Sequence, residues 1–271
     1  MNASVKDIIR LMDMIAPRDL SESWDNIGLQ VGREDQPVRT LWIALDPTPK
    51  VVSAAGGRQV DMIITHHPLL FKPLTRIDLS KPMGGIIETA IRRQIAIFSA
   101  HTNLDSVAGG LNDLLAQMIG IIETRVLAEP KDLEKRQGIG RYGNLETAMS
   151  LGRLADTLMA QLGLFYVRIV GDPDRTLQKA ALCTGSGGSL IPEVLQSGAD
   201  VYVGGDFGYH AARDAEAAGL CLIDIGHFGS EHLMVNLIAE KLQEMVTKER
   251  LGVQVLPCPL EEDPFRLRLK A

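Results

Sequence analysis

Short apolar runs, each ending in a residue able to bind metal, constrain this chain more than any other feature. Residues 41–45, 62–64 and 95–100 in the first half read as buried strands, as do 180–183, 201–203 and 220–225 in the second. Between them lie stretches of helical character. Val5, Ile8, Ile9, Leu11, Met12 and Ile15 fall at mostly helical spacing, and helices are also expected near 85–93, 211–218 and 231–246. Strands joined by helical crossovers pair in parallel. Open sheets of that kind place their sites at the carboxyl ends of the strands. The expected fold class is therefore α/β, with mostly parallel sheets.

The two halves share a grammar. In each, one strand ends in polar, ligand-type residues, and a later strand is followed by His-x-x-x-acid: His101 with Asp105, then His227 with Glu231. Two similar α/β lobes account for this. The polar stretch EPKDLEKRQGIG at 129–140 is the linker candidate, giving a first lobe at 1–128 and a second at 129–271.

The chain's 271 residues are enough to bury a large core, and 45% hydrophobic with 23% charged residues suits a soluble globular protein. A net charge of −6 argues against a general nucleic-acid or membrane-surface binder, which would carry a basic face. Every apolar stretch falls short of the ~18–20 residues needed to span a bilayer. The N-terminal stretch carries acids and reads as an amphipathic helix rather than a signal peptide. Cys183, Cys221 and Cys258 are far apart and odd in number, so buried thiols in a reducing cytoplasm are expected.

All six histidines lie in or beside short polar motifs. His66 and His67 end a strand ahead of Pro68. Adjacent strand residues point to opposite faces, so both can serve as ligands only where the chain turns. His101 follows a strand, and Asp105 four residues on is either a ligand or a turn or helix cap. His227 and Glu231 straddle a strand-to-helix junction. A helix starting near Phe228 puts them on one face; one starting at Glu231 leaves His227 in the loop above. Glu231 also has a plain reading as a complement to the helix dipole. His232 projects about 100° from Glu231 on an ideal helix and is expected to be packed or solvated. Counted as ligands, three imidazoles and two carboxylates exceed one four-coordinate zinc and suit two bridged ions. Zinc, iron, manganese and cobalt all accept such donors. The turn GSGGS at 185–189 lacks the lysine of a P-loop and reads as a tight strand-to-helix turn. At 4% aromatic content, no base-stacking set stands out.

The segments WDNIGLQVG (24–32), THHPLLFKPL (65–74), SAHTNLDSVAGGLN (99–112), CTGSGGSLI (183–191) and GLCLIDIGHFGSE (219–231) resemble the GTP cyclohydrolase 1 type 2 homologue family. It is also called the Nif-three-like dinuclear metal-centre family. The resemblance implies two α/β lobes with a dinuclear site in the cleft between them. It carries metal ligation onto His66, His67, Asp105, His227 and Glu231, with Glu231 as the bridge, and implies two divalent metal ions. A homohexameric ring is also implied. Gly204 departs from the threonine common in relatives. The implied function is metal-dependent hydrolysis, with water attacking a purine nucleotide ring. His101 and His210 are then the candidates for catalytic proton transfer or for orienting ligands. The alternative is a metal-binding ring for storage, delivery or regulation without nucleotide turnover.

Overall fold

The computed structural model describes residues 3–128 and 137–268. Its elements begin with α1 (Val5–Ile15), β1 (Gly28–Val31), β2 (Thr40–Ala44), α2 (Pro49–Gly57), β3 (Met62–Thr65), α3 (Pro82–Arg93), β4 (Ala96–Ser99) and α4 (Thr102–Ser106). Next come α5 (Leu111–Met118), β5 (Ile121–Ala128), β6 (Ile139–Ser150), α6 (Leu151–Leu162), β7 (Arg168–Val170) and β8 (Thr176–Ser186). The rest are α7 (Ile191–Ser197), β9 (Val201–Gly205), α8 (Tyr209–Ala217), β10 (Cys221–Asp224), α9 (His227–Glu231), α10 (Leu233–Lys248) and β11 (Gln254–Pro257).

These elements form two units, Met1–Leu104 with Met234–Ala271, and Asp105–Leu233. The division differs from the expected 1–128 and 129–271. Residues 105–128 supply β5 to the second sheet, while β11 near the C-terminus pairs with β2 in the first. Of the linker candidate, 129–136 lies outside the described residues.

The first sheet has the order β1-β4-β3-β2-β11. Four strands are parallel, and β1 joins the edge antiparallel to β4. The inner strands β2, β3 and β4 are buried on both faces, which is why their sequences are almost wholly apolar, whereas the edge strand β11 is partly exposed. Trp42, Ile63 and Ile97 face one core with Val51, Val52 and Ala55 of α2 and Ile86, Ile87 and Ala90 of α3. The alternate residues Leu41, Ile43, Met62, Ile64 and Phe98 are buried on the other face.

The second sheet, β5-β6-β8-β9-β10-β7, is mixed. Only β8–β9 and β9–β10 are parallel; β5, β6 and β7 pair antiparallel with their neighbours. This corrects the expectation of mostly parallel sheets for the second unit. The physical reason lies in β5 and β6, which leave many residues exposed. Antiparallel strands tolerate a solvated face, and their polar residues hide them from a search for apolar runs. In the central strands, alternation splits the core cleanly. Val201, Val203, Cys221 and Ile223 face Leu151, Leu154 and Leu158 of α6. Tyr202 and Leu222 face Ile191 and Val194 of α7 and Ala215 of α8. No helix among the described residues is long and apolar enough to cross a membrane.

Candidate metal centre

In the first unit, β2, β3 and β4 end in register at Ala44, Thr65 and Ser99. Hydrogen bonding continues just past them. The His66 amide donates to the Ala44 carbonyl (3.2 Å), the His67 amide to Leu45 (3.0 Å) and the Ala100 amide to Thr65 (2.9 Å). The Thr65 hydroxyl donates to the His67 carbonyl (2.8 Å) and the Ser99 hydroxyl to that of His66 (2.7 Å). The turn carrying both histidines is thus held by strand-end side chains, and Pro68 cannot extend a ladder.

Each imidazole here is oriented through Nδ1. His66, fully buried, sets Nδ1 2.9 Å from the Ala100 carbonyl. A carbonyl only accepts, so Nδ1 carries the proton and Nε2 becomes the ligating nitrogen. His67 Nδ1 lies 2.8 Å from Asp46 Oδ1, and His101 Nδ1 lies 2.9 Å from Asp25 Oδ1. The ligand atoms offered by His66, His67 and His101 lie within 4.8 Å of one another. Placing His101 beside the His66-His67 pair gives it the geometry of a ligand as well as of a proton carrier.

The Asp25 side chain is shielded from solvent and also accepts from the Thr102 hydroxyl (2.5 Å) and amide (3.1 Å). Burial alone would raise its carboxyl. The hydrogen bonds from His101 and Thr102 outweigh that and bring it down to about 2. Asp46 is fixed from the other side, because the Glu261 carboxylate accepts from the Leu45 amide (2.8 Å) and the Asp46 amide (2.9 Å).

In the second unit, the polar residues follow β9 and β10, with β8 alongside. The one-turn helix α9 begins at His227, so the i,i+4 spacing brings His227 and Glu231 to one face. His227 Nε2 lies 2.8 Å from Glu231 Oε2, and its Nδ1 lies 2.8 Å from Asp206 Oδ2. An imidazole set between two carboxylates is a site for added positive charge. A divalent ion at Nε2 would satisfy both the ring lone pair and the buried Glu231 carboxylate.

Glycines make room for this arrangement. Gly185 has φ +68, and a Cβ there would lie 1.9 Å from Glu231 Oε1, inside the carboxylate. A Cβ at Gly205 would lie 2.8 Å from the Gly185 carbonyl oxygen, the Gly226 carbonyl carbon and the His227 amide nitrogen. The glycine-rich turn is therefore a matter of close packing. The Gly185 amide donates to the Ser230 hydroxyl (2.8 Å), which donates to the His227 carbonyl (2.8 Å).

Asp105 is buried in α4. Its carboxylate accepts a long bond from the Thr184 hydroxyl (3.4 Å) and its carbonyl accepts from Asn112 Nδ2 (3.0 Å). Asn112 Oδ1 in turn accepts from the Thr184 amide (3.0 Å). The N-cap of the following helix is Gly110, so Asp105 does not cap α5. His210 is exposed at the start of α8 beside the Tyr209 ring. His232 stacks on Phe228 with ring centroids 4.6 Å apart, a packed position as expected. All three cysteines are free and buried, and burial pushes the Cys183 thiol far above its ordinary range.

Sequence reasoning missed Asp25, Asp46 and Asp206, the carboxylates behind the imidazoles. Each had a signal: Asp25 lies in the WDNIG segment, and the other two directly follow strands. Carbonyl or carboxylate on Nδ1 with Nε2 left for ligation is how proteins commonly orient metal-binding histidines. The donors therefore fit a divalent transition metal.

Fold and donors together define an α/β protein with a candidate metal centre rich in histidine and carboxylate. The chain belongs to the family described as Duf34/NIF3 (NGG1p interacting factor 3), whose model matches residues 3–264. It is 34% identical over 268 residues to the "GTP cyclohydrolase 1 type 2 homolog" of Clostridium acetobutylicum, covering 99% of this chain and 100% of that protein. The protein of that name from Clostridium perfringens is 34% identical over 261 residues, covering 96% and 98%. Among solved structures, a Bacillus cereus protein related to NIF3 superposes with a TM-score of 0.93 at 29% identity, covering 99% of this chain and 100% of that one.

Proposed function

We propose that this protein is a metal-dependent hydrolase of the cyclohydrolase type, acting on a purine nucleotide and holding two divalent ions. The observation that carries the reading is the carboxylate set on Nδ1 of His67, His101 and His227, in both units. The proposed ligand set is His66, His67, Asp105, His227 and Glu231, with Glu231 as the bridge. The relatives' names support the reaction class, and a homohexamer is the proposed assembly.

When bound, two ions supply the positive charge that acidifies water and polarises the atom under attack. The chain's own residues do the rest. Asp46 and Asp206 fix the rings of His67 and His227, and the bare Gly185 lets the Glu231 carboxylate approach. Water attack at C8 of the purine, ring opening and formate release require protons to leave water and reach ring nitrogens. His101, held by Asp25, is the proposed carrier in the first unit. His210 is the second candidate.

The test joins metal analysis to GTP turnover followed by formate release. Metal-loaded wild type is expected to release formate, and Glu231→Ala is expected to lose metal and turnover with its fold intact. Fully metallated protein without formate release would leave the metal-binding reading in its place.

A further inference from the structure

We infer that Trp24 and Phe71 form the wall against which a planar heteroaromatic ring of the substrate stacks. The inference deepens the proposed function and rests on it for the identity of that ring. Exposed aromatics are not rare here, since Phe165 is 98% exposed. What distinguishes Trp24 and Phe71, at 57% and 46% exposed, is their place beside the imidazole cluster.

Trp24 and Phe71 lie 5.8 Å apart at 65°, Trp24 and His101 6.2 Å apart at 76°, and Phe71 and His101 6.4 Å apart at 79°. Three rings steeply inclined to one another, at 65° to 79°, form a corner. A planar ring laid on one face meets the others edge-on, and aromatic pairs favour both offset stacking and edge-to-face contact. His101 belongs to the cluster with His66 and His67, so a ring held in this corner sits against the candidate chemistry.

The corner is built rather than incidental. Trp24 adjoins Asp25, whose carboxylate holds His101. Phe71 follows Leu70, whose carbonyl accepts from Asn26 Nδ2 (2.5 Å) and whose amide donates to Gln30 Oε1 (3.1 Å). Both aromatic residues are thus carried on backbone tied to the 24–30 segment. Exposed apolar side chains held in place before binding lose little entropy when a ligand arrives. The occupant is the base of a nucleotide, because a flat π-face is what this corner complements and stacking of this kind tolerates any base.

The chain has two tryptophans, and the other, Trp42, is buried at 2% exposure. Quenching of exposed tryptophan emission therefore reports on Trp24. The experiment titrates the purified protein with GTP, guanosine and inorganic triphosphate, reading emission and calorimetric affinity in wild type, Trp24→Ala and Phe71→Ala, with metal content measured for each. Saturable quenching by GTP and guanosine but not triphosphate is expected in wild type. Calorimetric affinity for GTP should fall roughly 10- to 100-fold in each variant, the range that loss of one stacking contact implies, at unchanged metal content. Equal affinities in all three proteins, or no saturable binding of either guanine ligand, would overturn the inference. Base binding that depends on Trp24 in a protein that never releases formate would keep the wall and remove the cyclohydrolase reading. Formate release with affinities indifferent to both substitutions would do the reverse.

Discussion

Gly185 and Asp25 show how single residues shape the candidate centre. Methyl substitution at Gly185 meets two obstacles, a left-handed backbone and the Glu231 carboxylate 1.9 Å from the new Cβ. Gly185→Ala should cost about 1–3 kcal/mol and lower metal content, read by thermal unfolding and metal analysis; an unchanged metal ratio would count against Glu231 as a ligand. Asp25 has a lowered carboxyl, at about 2 in the folded protein. A depressed carboxylate contributes stability that is present above its unfolded value near pH ~4 and lost as pH falls through the folded value. Asp25→Asn should therefore destabilise the protein by about 1–2 kcal/mol at neutral pH, after allowance for solvent screening. The gap to wild type should close between about pH 4 and pH 2, and chemical denaturation across that window checks it. The sequence exposed His67, His101 and His227 because histidine near a strand end stands out. It did not expose their carboxylate partners, because Asp25 reaches His101 across 76 residues of chain.

Among the elements, legibility followed chemistry. The helix α1 spans Val5–Ile15, and its apolar spacing alone marks it. Its start is fixed by a capping box. The Asp7 amide donates to the Ser4 hydroxyl (3.4 Å) and the Ser4 amide to the Asp7 carboxylate (2.8 Å). Hydrogen bonds from the Ser4 side chain and backbone hold the Asp7 carboxyl below its ordinary range. Ser4→Ala should cost about 1 kcal/mol, measured by denaturant unfolding, with m unchanged because the same surface is exposed on unfolding. The apolar cores of β2, β3, β9 and β10 were equally visible, whereas the long polar β6 was not, since its exposed face breaks any apolar run. The junction after β10 allowed two helix starts from sequence. The one near Phe228 is realised, with the first helical residue at His227, and Gly226 with φ +75 makes the turn into it.

At the scale of the molecule, the division of the chain into Met1–Leu104 with Met234–Ala271 and Asp105–Leu233 differs from the boundary that composition suggests. Local composition marks a polar linker but carries no sign that Gln254–Pro257 pairs with Thr40–Ala44, some 200 residues earlier in the chain. That return brings Glu261 to the backbone amides beside Asp46, which holds His67. Glu261→Ala should cost about 1.5–3 kcal/mol, the usual loss when a charged acceptor leaves buried donors. It should also weaken metal retention, seen as faster loss to a chelator; retention equal to wild type would separate the C-terminal segment from the site.

The most direct test of the central claim, that the histidine and carboxylate clusters form a metal centre, is the metal-to-protein ratio after reconstitution and removal of excess ion. Wild type should retain about two divalent ions per chain, the number one carboxylate bridge can serve, and both His67→Ala and Glu231→Ala should retain fewer while unfolding cooperatively. Wild type that retains none, or variants that retain as much as wild type, would contradict it.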